Sequence, residues 1–377
     1  MVDAVQAGAT LHIDLDALVA NWRAIGASAA PAVAAAVVKA DAYGLGAVPV
    51  ARALAAAGCR HFFVAHLSEA TALQGELPAG AALYVLNGLM PGAEAACAEA
   101  GAIPVLNALD QLERWASLAR SAGRKLPAVL QVDSGMSRLG LAEDEAARLV
   151  SEPERLDGVE LRFIMSHFAC ADVPDHPANA MQRARFERFC AGFPDVKRAL
   201  DNSAGALTRR DTHFDLARPG IALYGGAALE EGPNPMRPVV RLEARIAQLR
   251  TIPAGAGVGY GLTFTAARDT VLATIPVGYA DGWPFHLANR GSAFVAGTRV
   301  PIAGRVSMDS MTVDVTDAPA DALYPGAPVE LIGPHQSLED VARDAGTIAY
   351  EILTRLGHRY ARVYHVSGAA APDGDQF

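Results

Sequence analysis

The chain has 377 residues, a formal net charge of −9 and a pI of about 5.6. Hydrophobic residues make up 51% of it and charged residues 19%, so it can bury a large core in one or two domains. The acidic balance argues against nucleic acid as a main partner, because phosphate binding requires a basic surface. No run approaches the ~18 apolar residues of a membrane span. The first residues lack the pattern of a signal peptide, so we expect a cytoplasmic protein.

The four cysteines, Cys59, Cys97, Cys170 and Cys190, have no CxxC spacing. In a chain of this length they are typical of isolated core thiols in a reducing compartment. The sequence also lacks an HExxH motif, a Cys/His metal cluster and a P-loop, so we predict no metal site.

The first two thirds of the chain alternate short apolar runs with amphipathic stretches. The predicted strands are Ala32–Lys39, His61–Ala65, Ala82–Leu86, Ile103–Leu106, Ala128–Asp133, Leu161–Ser166, Arg198–Asn202 and Phe214–Ala217. The helical patterns between them include Val48–Ala57, Gly92–Ala100, Leu109–Ala122, Glu143–Val150 and Ala178–Ala191. Eight βα repeats predict an α/β fold, a TIM-like (β/α)8 barrel, with an open doubly wound sheet as the alternative.

After about Pro235 the composition shifts to Val, Thr, Gly and Pro, which predicts a C-terminal all-β domain. Its predicted strands include Val271–Val277, Ser292–Val295, Met311–Val315 and Ala327–Ile332. We therefore expect a barrel over residues 16–235 and a β domain over 236–377, with residues 10–15 pairing with the β domain. The tail Ala369–Phe377 is expected to be disordered.

Lys39 closes a predicted buried strand and is followed by the glycine turn that contains Tyr43. Lysine is among the residues least often buried without a partner. A desolvated lysine loses its proton more easily, and the free amine is a nucleophile toward aldehydes. Lys39 is therefore a candidate imine-forming residue, with a structural salt bridge as the alternative.

Parallel barrel strands deliver their chemistry at their carboxyl ends. The polar residues predicted at those ends are Lys39, the Arg138 region, His167, Asn202, Ser203, Arg218 and Gly220. Ser203 at a strand-to-helix junction and Gly220 after Arg218 could each form an anion cradle, although a plain helix cap is the alternative for Ser203. Two anion sites near an imine-competent lysine indicate a phosphorylated aldehyde cofactor.

The string Val-Val-Lys39-Ala-Asp-Ala-Tyr43-Gly-Leu-Gly resembles the cofactor-lysine signature of the alanine racemases, which are pyridoxal-5′-phosphate enzymes. Similar matches run as far as Tyr350. The resemblance implies that Lys39 carries the cofactor and that further residues bind its phosphate or add hydroxyl contacts. Those residues are Tyr43, Asn202, Ser203, Gly220, Ile221 and Tyr350.

By the same resemblance, the protein would interconvert L- and D-alanine by two-base proton transfer on an external aldimine of pyridoxal phosphate. Lys39 would be one base, and Tyr260, in Gly257-Val-Gly-Tyr260-Gly, would be the other. Arg218 would face the pyridine nitrogen, and His167 would bond both Arg218 and Tyr260. Tyr260 would enter from a second subunit, which implies a head-to-tail homodimer. The product would supply D-alanine for peptidoglycan.

The resemblance also implies that the substrate side is lined by Arg138, Tyr279, Met308 and Asp309. Many family members have a carbamylated lysine where this chain has Gln131. The carbamate orients the arginine that corresponds to Arg138. Glutamine carries no charge, so we expect Gln131 either to contact Arg138 directly or to share it with a small anion such as chloride.

Three other functions remain open from the sequence. A broad-specificity or serine-type racemase would have the same architecture. A decarboxylase would prefer an acidic residue in place of Arg218. A non-catalytic pyridoxal-phosphate carrier would be a single barrel, and the C-terminal module with Tyr260 argues against it.

Overall fold

The computed structural model describes residues 5–366, so the expected disorder of the tail from Ala369 lies outside the described residues. The chain divides into two compact units. The barrel unit contains Val19–Leu223 and Ala227–Met236. Of the described residues, the C-terminal unit contains 5–18, Tyr224–Gly226 and 237–366. Over residues 5–366, no helix is long and apolar enough to cross a membrane.

The described chain begins with strand β1 (Ala9–Asp14) and helix α1 (Leu15–Ala29), which crosses from one unit into the other. The strands of the barrel unit are β2 (Val33–Ala34), β3 (Ala36–Val37), β4 (His61–Val64), β5 (Ala82–Val85), β6 (Ile103–Leu106), β7 (Leu126–Gln131), β8 (Val159–Met165), β9 (Arg198–Ala199) and β10 (Leu216–Ala217). Strands β3 to β9 form one parallel sheet in chain order.

Backbone bonds from β10 close this sheet into a barrel. The Asp215 N–H donates to the carbonyl of Arg198 over 3.0 Å, which joins the β10 segment to β9. Strand β10 also pairs in parallel with β2, and the Val33 N–H donates to Asp215 O over 2.9 Å. Strands β2 and β3 continue one another around Ala35, so eight parallel strands complete the ring. The predicted (β/α)8 barrel is confirmed, and each predicted strand overlaps an observed one.

The helical elements of the barrel unit follow its strands. They are α2 (Lys39–Gly44), α3 (Ala47–Ala56), α4 (Leu67–Ala72), α5 (Glu94–Glu99), α6 (Leu109–Ser121), α7 (Glu143–Ser151), α8 (Pro177–Cys190) and α9 (Ser203–Thr208), with 3-10 turns at Pro153–Leu156 and Ile221–Tyr224. Inside the barrel, the ring of Tyr84 stacks on Phe63 with centroids 4.6 Å apart and meets the edge of Phe163. These rings fill the interior, so functional groups are left at the strand ends.

The C-terminal unit is built mainly of strands. They are β11 (Val240–Arg245), β12 (Gln248–Ile252), β13 (Gly257–Val258), β14 (Phe264–Thr265), β15 (Thr270–Ile275), β16 (Ser292–Val295), β17 (Thr298–Pro301), β18 (Met311–Asp314), β19 (Pro328–Ile332) and β20 (Ala361–His365). The largest sheet has the order β17-β16-β19-β11-β1-β20. Strand β1 pairs antiparallel with β11 and parallel with β20, so the N-terminal strand lies inside this sheet.

The C-terminal unit differs from the expected all-β domain by two helices, α10 (Leu338–Ala345) and α11 (Ala349–Arg355). The Ser337 hydroxyl accepts the Asp340 N–H, and the Asp340 carboxylate accepts from Ser337, which forms a capping box at the start of α10. Gly346 ends α10 in a left-handed conformation with φ of 71°. The capping box at Ser337 and Gly346 are both visible in the sequence as helix-end signals. The stretch around them is otherwise typical of turns.

Candidate active site at the carboxyl ends of the barrel strands

Lys39 lies directly after strand β3, where the Val38 N–H bonds to the carbonyl of Phe63 on the next strand. Its side chain is partly buried. Burial and the nearby Arg138 guanidinium hold the pKa of the Lys39 amine below its usual range, and Glu69 opposes them. The amine therefore loses its proton at a lower pH than a free lysine does.

The backbone after Lys39 forms a left-handed helical turn. Residues 40–43 have φ between 53° and 57°, although none is glycine. Left-handed conformation disfavours each such residue by about 1–2 kcal/mol, so other contacts must hold the turn. The Asp41 carboxylate accepts the Ala47 N–H over 2.7 Å, and its carbonyl accepts from Gly46. As a result the Tyr43 side chain is buried.

Tyr43 meets a second chain segment at Gly220. A Cβ atom at Gly220 would lie 2.2 Å from the Tyr43 hydroxyl oxygen, so any other residue there would require the tyrosine or the backbone to move. The Gly220 N–H donates to the Ser203 hydroxyl over 2.9 Å, and Asn202 caps α9 by accepting the Gly205 N–H. The Tyr43 and Ser203 hydroxyls thus lie beside the backbone of Gly220, and hydroxyls and backbone N–H groups are the kinds of group that bind oxyanions.

Arg218, just after β10, is 3% exposed. Its Nη2 donates to the carbonyl of Ser166 over 2.5 Å and to that of Leu200 over 3.3 Å. Its Nη1 is buried and has no hydrogen-bond partner within residues 5–366. Burial lowers the pKa of Arg218 to about 10, opposed by Asp201, so the guanidinium stays charged at neutral pH. A buried donor without a hydrogen-bond partner destabilises the folded protein unless a bound molecule supplies an acceptor.

His167 faces this guanidinium, with its Nδ1 3.4 Å from Nη2 of Arg218. Burial and the positive charges of Arg218, Arg138 and Lys39 lower the pKa of His167 to about 3. The imidazole is therefore neutral, and Nδ1 can accept from Arg218 only if Nε2 carries the proton. The charges of Lys39, Arg138 and Arg218 thus all act on the His167 imidazole.

Arg138 lies in a tight loop after β7. The Asp133 carboxylate accepts the N–H groups of Gly135, Met136 and Ser137, and Leu141 bonds back to Gln131 through its backbone.

The expected hydrogen bond between Gln131 and Arg138 is absent from the part of the chain that the structure describes. The amide nitrogen of Gln131 donates instead to the carbonyl of Leu139 over 3.1 Å. Gln131 therefore holds the backbone beside Arg138, not its side chain.

Ile221 follows Gly220 in the barrel unit, and the remaining predicted residues lie in the C-terminal unit. Tyr260 stands in a 3-10 turn between two left-handed glycines, and its side chain is 71% exposed. The Tyr279 N–H bonds to Ser307 O, and the Ala280 N–H bonds to Met308 O over 2.9 Å, so these two segments run side by side. The structure thus brings Tyr279 and Met308 together in one part of this unit.

Two charged residues that the sequence analysis missed hold site segments, Arg359 in the C-terminal unit and Glu69 in the barrel unit. Arg359 contacts the carboxylates of Asp281 and Asp309 over 3.0 and 2.8 Å. Near Lys39, the Glu69 carboxylate accepts three backbone N–H groups. The spacing of Glu69 three residues after His66 is the signal of a helix-capping glutamate. Tyr350, on α11, is 40% exposed.

The fold and the site define a lysine-bearing parallel barrel joined to a strand-rich unit. Family models match both parts: "Alanine racemase, N-terminal domain" over residues 13–228 and "Alanine racemase, C-terminal domain" over residues 239–364. The chain belongs to the alanine racemase family.

Relatives and solved structures agree with this assignment. The chain is 53% identical to the catabolic alanine racemase of Agrobacterium fabrum, covering 94% of this chain and 91% of that protein. It is 54% identical to the alanine racemase of Brucella canis, covering 96% and 95%. The crystal structure of alanine racemase from Bartonella henselae, with covalently bound pyridoxal phosphate, has a TM-score of 0.92 at 45% identity and covers 95% and 100% of the two chains.

Proposed function

We propose that this protein is a pyridoxal-phosphate-dependent alanine racemase that interconverts L- and D-alanine. The observation that carries the proposal is Arg218, a buried guanidinium with one unpartnered donor, in the same charge cluster as a lysine of lowered pKa. Relatives more than 50% identical over nearly the whole chain are named alanine racemases.

The donor set fits the cofactor that the Bartonella henselae structure holds covalently. Lys39 supplies the amine for an imine, and the unpartnered Nη1 of Arg218 suits a pyridine nitrogen as acceptor. When bound, the cofactor delocalises negative charge from the substrate Cα. The phosphate and its surroundings would be held by the cradle residues and one residue of the C-terminal unit. These residues are Tyr43, Asn202, Ser203, Gly220, Ile221 and Tyr350.

Racemisation requires a proton donor and acceptor on each face of the substrate Cα. Lys39 removes or returns the proton on one face, and its lowered pKa makes the free amine available. The partner subunit's Tyr260 acts on the other face in a head-to-tail homodimer. Its 71% exposure in a single chain supports an arrangement in which a second copy covers it.

Other residues bind the substrate or set the charge state of the cofactor. Arg138 pairs with the substrate carboxylate, and Tyr279, Met308 and Asp309 line the substrate side. Arg218 keeps its own proton at neutral pH, so the pyridine nitrogen that it would face stays unprotonated. The ring would then withdraw less negative charge from Cα, and a carbanion at Cα would be short-lived. This favours return of the proton to Cα over transamination. Neutral His167 links Arg218 to the catalytic tyrosine.

We propose a cytoplasmic location and a supply of D-alanine to peptidoglycan. The relatives from Agrobacterium fabrum and Rhizobium johnstonii are named catabolic alanine racemases, so the same reaction in the opposite direction is the second candidate role. We also propose residues 16–235 and 236–377 as the two functional domains, with residues 10–15 serving the second.

Incubating the purified protein with L-alanine should yield D-alanine, and the reverse, together with the absorbance of a lysine–aldehyde imine. Imine absorbance without racemisation would indicate a cofactor carrier. Similar turnover of several amino acids, serine included, would indicate a broad-specificity racemase. Release of carbon dioxide from the substrate would indicate a decarboxylase. Absence of both the imine and D-alanine would overturn the proposed function.

A further inference from the structure

Glu69 binds backbone on two separate elements at the carboxyl ends of the barrel strands. Its Oε2 accepts the N–H groups of Ala65 and His66, over 2.7 and 3.0 Å, at the junction of β4 and α4. Its Oε1 accepts the Ala40 N–H over 2.5 Å. Ala40 is the first left-handed residue after Lys39. One carboxylate thus ties the lysine turn to the neighbouring strand.

Helix capping explains only part of this arrangement. A glutamate at the third position of a helix commonly accepts the N–H of the capping residue, as Glu69 does with His66. The bond to Ala40 reaches 29 residues back along the chain. The left-handed backbone is unfavourable for each of these four non-glycine residues, so the turn is strained. A charge-assisted bond to its first N–H opposes that strain.

Glu69 also acts on the lysine amine through its charge. Burial and Arg138 lower the pKa of Lys39, whereas Glu69 raises it. The other groups in this cluster are the cationic Arg138 and Arg218 and the neutral His167. Glu69 is the negative charge that opposes burial and Arg138 at the Lys39 amine.

We propose that Glu69 is a positioning residue for Lys39, which fixes the left-handed turn that presents the amine and supplies the counter-charge to it. The inference rests on the proposed function, because it assigns Glu69 to the imine-forming lysine. A purely structural helix cap would stabilise α4 without changing the protonation of Lys39.

The chain offers a matched control in Glu145. Its Oε2 accepts the Ala142 N–H at the start of α7, and its Oε1 accepts the Leu109 N–H of another helix over 3.0 Å. Glu145 therefore makes the same two kinds of bond as Glu69, a cap and a tie to a second element. It is not among the charges that act on Lys39.

The experiment measures the rate of imine formation when the cofactor-free full chain is mixed with pyridoxal phosphate across a pH series. The midpoint of this profile reports the pKa of the Lys39 amine, because only the free amine attacks the aldehyde. Glu69→Gln should move the midpoint to lower pH by about 0.5–1 unit, since removal of a nearby opposite charge disfavours the charged amine. Glu145→Gln should leave the midpoint unchanged. Its melting temperature should fall by about as much as that of Glu69→Gln.

An unchanged midpoint in Glu69→Gln, with a wild type that forms the imine and racemises alanine, would overturn the inference alone. A wild type that forms no imine would overturn the proposed function and the inference with it. If Glu69→Gln does not fold, hydrogen–deuterium exchange of the wild type decides. The exposed Ala40 amide should exchange slowly, and exchange as fast as in an unstructured chain would contradict the tie.

Discussion

The barrel unit and the C-terminal unit hold their candidate site residues in different ways. In the barrel unit, Arg218 is almost fully buried, and burial together with three neighbouring cations lowers the pKa of His167. In the C-terminal unit, Tyr260 is 71% exposed and Met308 53% exposed. The barrel unit therefore buries the residues proposed to meet the cofactor ring. The C-terminal unit leaves exposed the side chains that, in the proposed dimer, would act on the substrate.

Under the proposed function, this difference separates cofactor binding by the barrel unit from the transfer of the substrate proton by Tyr260 of the C-terminal unit. Variants in the barrel unit should disturb the imine, the cofactor or its cradle. Variants among the exposed residues should leave the cofactor bound and change only the exchange of the substrate proton.

The largest expected effect is that of Lys39→Ala. One amine serves as cofactor anchor and as base, so imine absorbance and racemase activity should disappear together, with activity falling by at least about 10⁴-fold. The measurements are an absorbance scan and D-alanine production by the purified variant. Retention of a borohydride-reducible adduct would remove Lys39 from its assigned role.

Tyr260→Phe should keep the imine absorbance and slow racemisation by about 10²–10⁴-fold, because one proton carrier is lost. Exchange of the α-proton into heavy water should fall much more for one alanine enantiomer than for the other. Equal residual exchange from both enantiomers would mean that Tyr260 only packs in the site.

Gly220→Ala tests the cradle in the barrel unit. The added Cβ would lie 2.2 Å from the Tyr43 hydroxyl, so either the tyrosine or the backbone must move. Overpacking of this kind destabilises by about 1–3 kcal/mol, and we expect weaker binding of pyridoxal phosphate. Ala222→Gly, on the same turn, is the control. Cofactor affinity equal to that of the wild type would contradict the cradle.

The smallest expected effect is that of dissolved carbon dioxide. Gln131 cannot be carbamylated, and its amide nitrogen bonds to the backbone at Leu139. Racemase activity should therefore be the same in degassed buffer and in bicarbonate. Titration with chloride tests the remaining expectation, that a small anion accompanies Arg138. A rate that depends on bicarbonate would show that another group near Arg138 carries the carbamate.

The barrel was predictable because its strands are short, mainly apolar segments that are closely followed by a polar residue, as Lys39 after Val38 illustrates. The helices α10 and α11 were missed, although Ser337 and Gly346 mark the ends of α10, because short amphipathic segments among turns give a weak periodic signal. The fold class was confirmed with that difference.

The site was predictable as a set of residues but less so as a set of contacts. The family pattern pointed to Gln131 beside Arg138, yet the bond goes to Leu139, because a side chain shorter than a carbamylated lysine reaches the nearby backbone. Glu69 was missed because its bond to Ala40 exists only where the backbone adopts a left-handed turn. Single-residue propensities do not predict four consecutive left-handed residues.

The central claim is that a complete site combines Lys39 of one chain with the partner subunit's Tyr260. Mixing equal amounts of inactive Lys39→Ala and impaired Tyr260→Phe proteins, under conditions that exchange subunits, tests it directly. Each hybrid dimer would contain one site with both native residues, so activity should rise to about a quarter of the wild-type value for random exchange. Activity that stays at the average of the two variants, with hybrids verified by differential tagging, would contradict the shared site.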